Sequence, residues 1–204
     1  MGLISNATTI FDAGSMAAGF GGSLVFIKKL TASGSGTLSF VNGASSVVLD
    51  STYKEYFFIF NDIHPSTDDA EFTVNFRDGS TAYDATKTTT SFRAYQFESN
   101  SNGVGYQTGQ DLGQSTAVQK IGQLQGNDGD SAGSGFMHLF NPADTTFVKH
   151  FIVRYGHHYT NSAPGIIDNY TAGYGNVTAA IDAVQFKFTS GNIDVGDICL
   201  YGIV

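Results

Sequence analysis

Apolar side chains recur at every second position over much of this chain. That rhythm restricts it to half-buried strands, because successive side chains of an extended backbone point to opposite sides of a sheet. FTVNFRD places Phe72, Val74 and Phe76 on one side and Thr73, Asn75 and Arg77 on the other. VQFKF sets Val184, Phe186 and Phe188 against Gln185 and Lys187. EYFFIF is apolar on both sides and reads as a central strand. In TFVKHFIV, Phe147, Phe151 and Val153 alternate around Lys149, while Val148, His150 and Ile152 fall opposite; both sides of that strand are expected to be covered. Further strands are predicted at Leu24 to Leu30, Thr37 to Val41, Ser91 to Phe97, Phe136 to Phe140 and Asp197 to Ile203.

Turn chemistry separates these runs. Asn42-Gly43, Asp78-Gly79, Asp128-Gly129 and the TSGN at 189 to 192 suit residues with positive φ. The closing FKFTSGNIDVGDICLYGIV therefore reads as a hairpin whose second strand ends the sequence. Roughly eight to ten such strands predict an all-β fold, an antiparallel β-sandwich of jelly-roll-like type, over residues 23–204. Residues 1–22 are rich in Gly, Ala and Ser and read as an extended N-terminal arm, with Leu3, Ile4, Ile10 and Phe11 as its attachment residues. Residues 98–135 have the lowest apolar density and read as a long loop region with a weak strand near Ala117 to Leu124.

Composition narrows the function classes. Charged residues make up 14% of the chain, against the roughly 25% usual in globular domains, so neutral polar groups or neighbouring chains must cover much of the surface. The net charge of −8, with Lys28-Lys29 as the densest basic pair, argues against nucleic-acid binding, which needs a basic face. The longest apolar runs are strand-sized, so no membrane span is expected. One cysteine, Cys199, cannot build a disulfide framework or a Cys-based metal site within one chain. The opening MGLISNATTIFDAGSM lacks the basic and compact apolar regions of a secretory signal.

No catalytic motif is present: there is no G-x-S-x-G, H-E-x-x-H or phosphate-binding G-x-x-x-x-G-K pattern, and an enzyme is not expected. His157 and His158 point apart if extended, so they do not readily share a metal; one of them could pair with Asp168 or His150. No cofactor is expected. NDGD at 127–130 offers oxygens of the kind calcium uses, but it lacks the spaced acidic ligands and distal Glu of a calcium loop and reads as an exposed turn. Tyr106, Tyr155, Tyr159, Tyr170 and Tyr174 lie in or near glycine-rich, loop-like sequence. With His157 and His158 they are candidate contacts for a protein partner or a glycan, because an amphipathic ring serves recognition of either.

Three long segments, STYKEYFFIFNDIHPSTDDAEFTVNFRDG, HLFNPADTTFVKHFI and FKFTSGNIDVGDICLYGIV, resemble a family of virion structural proteins of tailed phages, often marine or cyanobacterial. The resemblance spans most of residues 24–204, and GDICLYGI departs from it by carrying an acid and a cysteine. It implies a non-enzymatic particle component assembled in the host cytoplasm, a tail fibre, adhesin or baseplate-periphery module. It also implies a homo-oligomer, with a trimer as the expected state, that meets other virion proteins and a host-surface glycan or protein. A capsid decoration or head-fibre protein is the alternative, and a stand-alone carbohydrate-binding module a further one. The family attaches no catalytic residues to these motifs, so none carry over.

Overall fold

The computed structural model describes residues 23–160 and 163–204, and the backbone of three short strands before them. Every regular element among the described residues is a strand. The three short strands, β1 (Leu3–Ser5), β2 (Thr8–Asp12) and β3 (Ser15–Met16), form an antiparallel sheet of their own, so this part of the arm doubles back twice. Leu3, Ile4, Ile10 and Phe11 fall on β1 and β2, and their side chains lie outside the described residues.

The body is a sandwich of two unequal antiparallel sheets. Its strands are β4 (Leu24–Ser35), β5 (Leu38–Val41), β6 (Glu55–Pro65), β7 (Phe72–Arg77), β8 (Lys87–Phe97) and β9 (Asn102–Tyr106). They continue with β10 (Gln119–Lys120), β11 (Gly133–Phe140), β12 (Lys149–Tyr159), β13 (Gly165–Gly175), β14 (Ala183–Phe188) and β15 (Ile193–Ile203). The small sheet runs β10-β7-β14-β5 and the large one β4-β15-β6-β11-β12-β13-β8-β9. The antiparallel sandwich expected from the alternation is thus formed; a jelly-roll order is a finer assignment than these strand orders make.

The alternating segments build the core. Val184, Phe186 and Phe188 of β14 and Phe72, Val74 and Phe76 of β7 are buried against Tyr56, Phe58 and Phe60 of β6 and Phe151 and Val153 of β12. Phe186 lies at its centre, with ring centroids 5.2 to 6.3 Å from Phe40, Phe58, Phe60 and Phe72. Each such ring contributes about 1.5–3 kcal/mol by leaving water. Thr73 and Asn75, expected on the open side of β7, are buried as well. Thr73 donates its hydroxyl to Lys187 O (2.8 Å), and Asn75 accepts from the Lys87 ammonium (2.6 Å).

Two expectations are corrected here. The final segment is not a hairpin: β14 belongs to the small sheet and β15 to the large one, and the TSGN turn carries the chain from one to the other. Positive φ at Gly191 (68°) makes that turn, as it does at Gly43 (76°) and Gly79 (93°); Gly129 does without it. β15 then lies between β4 and β6. The second correction concerns β12. Lys149 sits inward with Phe151 and Val153, and Phe147 lies before the strand with 70% exposure. Lys149 manages burial by donating its ammonium to Val177 O (2.9 Å). The opposite side of β12 is open, with His150, Ile152 and Arg154 exposed.

Candidate functional site

The small sheet is too narrow to cover the large one. Beyond it, the inner side of β12, β13 and β8 meets the segment 107–126, whose glutamines are drawn in by polar positions of the sheet. Gln110, Gln119 and Gln125 are buried. Tyr155 donates its hydroxyl to Gln125 Oε1 (2.7 Å), Arg93 donates to Gln123 Oε1, and Leu112 N donates to Thr89 Oγ1 (2.8 Å). The inward positions of β13 and β8 include Asn169, Thr171, Thr89 and Ser91, all buried. The 98–135 region, expected as a long loop, instead holds the edge strand β9 of the large sheet, this polar cover with β10, and the start of β11.

This arrangement places the sequence-predicted contacts on opposite sides. Tyr155 and His157 face inward and are buried, which removes them as surface contacts; they fall within β12, not in a loop. Tyr155 is wedged between Gly122 and Gly133, where any Cβ would overlap its ring or hydroxyl, and burial pushes its phenol well above its ordinary pKa. His157 Nε2 lies 2.5 Å from Gln123 O and therefore carries the ring's proton. Its Nδ1 has no hydrogen-bond partner among the described residues. Burial, opposed by that hydrogen bond, lowers its pKa to about 4. Tyr159 ends β12 with its ring 5.4 Å from that of Phe97. His158 lies at the edge of the open side, with Nδ1 2.8 Å from Ser131 Oγ; neither histidine makes the pairing with Asp168 or His150 considered from sequence.

Tyr106, Tyr170 and Tyr174 come together on the open side of the large sheet. The register lines up one row across eight strands: Tyr106, Phe92, Tyr170, Arg154, Phe136, Ile59, Cys199 and Lys29. The next row runs Thr90, Ala172, Ile152, His138, Phe57, Tyr201 and Phe26. Phe26 is 57% exposed, and Ile152, Phe92 and Leu24 are also exposed. Such a surface is apolar where a lone sandwich would ordinarily be polar.

Around these two rows the charges are paired within the face. Arg154 makes a forked contact to Asp168 (2.8 to 3.2 Å), which raises the guanidinium pKa further. Lys29 pairs with Asp197 (3.1 Å), and His138 Nδ1 with Glu55. Hydrogen bonds from Thr31 and then Lys29 lower the Asp197 pKa.

Ring geometry restricts what can dock. Phe92 and Tyr170 stack in parallel, 4.8 Å apart and 3° between planes. The Arg154 guanidinium lies 5.0 Å from the Tyr170 centroid, and β12 and β8 flank β13 on opposite sides. Both faces of the Tyr170 ring are thus used, and its hydroxyl donates to Asp168 (3.0 Å). A sugar that needs an open ring face finds none there, whereas a second apolar protein surface needs only ring edges and relief.

Among the depressions on the open side, two bear on what can dock there. One, about 400 Å³, is floored by Ala172 and Gly173 and walled by Ile152, His150 and Tyr174. The other, about 540 Å³, lies beyond Ile166 and is lined by Asp62, Gln96, Glu98 and His158 over the small residues Ser134 and Gly156. Asp62 sits in a bulge of β6 at φ 50°, where the register with β11 and β15 shifts. Among the described residues no cluster of three or more His, Cys, Asp or Glu side chains is arranged to hold a metal ion; at the NDGD turn, Asp128 O instead lies 3.2 Å from His64 Nε2.

Comparison of the chain with protein-family models, with curated proteins and with solved structures finds no match in any of the three.

Proposed function

We propose that this chain is a non-enzymatic structural subunit of a phage particle. In this reading it is a tail fibre, adhesin or baseplate-periphery module, assembled in the host cytoplasm, that works as a homotrimer among other virion proteins. The observation that carries the self-associating part is the open side of the large sheet, aromatic and aliphatic across eight strands, with Asp197 and Asp168 already paired to Lys29 and Arg154. Water is a poor solvent for such a face, and a neighbouring subunit a good one. The particle itself rests on the resemblance read from three long segments of the sequence, to which the comparisons with known proteins add no match. Purified particles test it: the chain should be found in them at a few to a few dozen copies. Hundreds of copies would favour the capsid decoration alternative, and absence from every particle would reject both.

The depression lined by Asp62, Gln96, Glu98 and His158 favours a second reading, a carbohydrate-binding module, because carboxylate and amide groups over a small-residue floor suit a neutral sugar's hydroxyls. A glycan array probed with the purified chain tests it. Binding that is lost in Asp62→Asn and Glu98→Gln variants supports this reading, and a blank array rejects it.

A further inference from the structure

The open side of the large sheet has a knob and a hole, and they are not in the same place. The hole is the groove floored by Ala172, between Ile152 and Tyr174 and continuing toward Phe92 and Tyr170. The knob is Phe26 on the edge strand β4, propped edge-on against Tyr201 (5.6 Å) and more than half exposed. Both lie in one transverse row, with β12, β11, β6 and β15 between their strands. At ~4.8 Å per strand they are about 24 Å apart. Phe26 cannot reach the groove of its own chain, but it can reach that of another.

We propose that the occupant of this face is a second copy of the chain, in a heterologous contact that seats Phe26 of one subunit in the Ala172-floored groove of the next. Two observations favour a like chain over a foreign partner. Hole and knob are both present on the one face, so each subunit supplies what its neighbour lacks. Where knob and groove lie, the face carries its own counter-charges, Lys29 with Asp197 and Arg154 with Asp168, so chains of net charge −8 can meet there with those acids paired, while Asp62 and Glu98 lie at the far end, beyond Ile166. A contact joining two different patches generates a ring when its rotation closes, and a ring of three is the trimer proposed above. The inference rests on the self-association in that reading and not on the particle assignment.

Paired cysteines test it. In a Cys199→Ala background, the double variant Phe26→Cys/Ala172→Cys is oxidised and run on a non-reducing gel, with each single variant as a control. A covalent trimer from the double variant alone is the expected result. A ladder that stops at the covalent dimer overturns the ring. Separately, Phe26→Asp in the otherwise unaltered chain should leave the circular dichroism spectrum unchanged, because Phe26 is an exposed edge residue. It should weaken association by about 30-fold or more, the loss expected for an interface anchor. A Phe26→Asp chain that keeps its oligomeric mass, together with no cross-link, overturns the contact while self-association stands. An unaltered chain that is monomeric by light scattering at high concentration overturns both.

Discussion

Acid should unfold this protein through a residue that sequence placed on the surface. His157 is buried, donates Nε2–H to Gln123 O, and has an unpartnered Nδ1 packed beside Tyr155 (ring centroids 5.5 Å). Protonation would put a charge and an orphan donor into that space, with the Arg93 charge nearby, which is why its pKa falls from 6.5 to about 4. An unfolded chain protonates at the ordinary value, so between those limits the unfolded state binds more protons and stability falls as pH falls. From the two pKa values the loss is about 2 kcal/mol between pH 7 and pH 5, and about 3 kcal/mol by pH 4. Urea unfolding followed by circular dichroism, at pH 7 and at pH 5, measures it. His157→Gln keeps an amide donor for Gln123 O and cannot titrate. Whatever that variant loses at pH 7, its further loss on going to pH 5 should be smaller than that of the unaltered chain by about 2 kcal/mol. Should the variant not fold, the imidazole resonances of the unaltered chain decide the matter: one histidine should stay neutral down to pH 5. If all titrate near pH 6 or above, the reasoning fails.

Lys87 gives the opposite limb. Burial lowers its pKa to about 8, against the pull of Asp84 and Asp78, so stability should rise by up to about 3 kcal/mol between pH 8 and pH 10.5 as the folded state sheds this proton first; Lys87→Met should flatten that rise in the same urea assay. The Tyr56 phenol, pushed up to about 12 by burial, should reverse the trend above pH 10, giving a stability maximum near pH 10 in a thermal-melt series. Gly133→Ala should cost about 1–3 kcal/mol, because the new Cβ overlaps the Tyr155 hydroxyl and crowds His157 Cβ, and thermal unfolding should show the loss. Tyr155→Phe removes the bond to Gln125 and leaves a buried acceptor unpaired; a loss of about 1–3 kcal/mol is expected, together with faster hydrogen exchange across residues 119–126.

Strands with oily side chains turned inward were legible. Phe72, Val74, Phe76, Val184, Phe186 and Phe188 are buried as their spacing predicts, and β6 is central with Phe57 and Ile59 on its second side. β13 was not legible. Its inward residues are Gly165, Ile167, Asn169, Thr171 and Gly173, and its outward ones include Ile166, Tyr170 and Tyr174. A rhythm with glycine and polar groups at the core positions reads as loop, and its tyrosines read as loop residues with it. The same reason hid the role of residues 107–126, whose low apolar density reflects a cover held by glutamine hydrogen bonds and not an exposed loop. Period alone also cannot tell a hairpin from a crossing between sheets, because both need a tight turn between two alternating runs; hence the misread turn at 189–192.

The polarity of β8 and β13 is the reverse of what a solitary sandwich uses. Thr89, Ser91, Asn169 and Thr171 face the interior, while Phe92, Ala172, Tyr170 and Ile166 face out. The hydroxyls among the inward polar groups cost little because they are satisfied: Ser91 Oγ lies 3.3 Å from Thr171 Oγ1 within the sheet and 3.4 Å from Gln110 Oε1 of the cover, and Thr89 accepts from Leu112; the Asn169 amide has no partner among the described residues. The outward apolar groups find no such compensation within the chain. Turning the two strands over would bury the aromatics and expose the hydroxyls, yet it would also take Arg93 and Ser91 away from Gln123 and Gln110. The cover therefore fixes the orientation of β8 and β13, and that orientation hands the apolar side to whatever lies outside. A face produced in this way is removed from water only by association, and the contact proposed between Phe26 and the Ala172 groove would remove it.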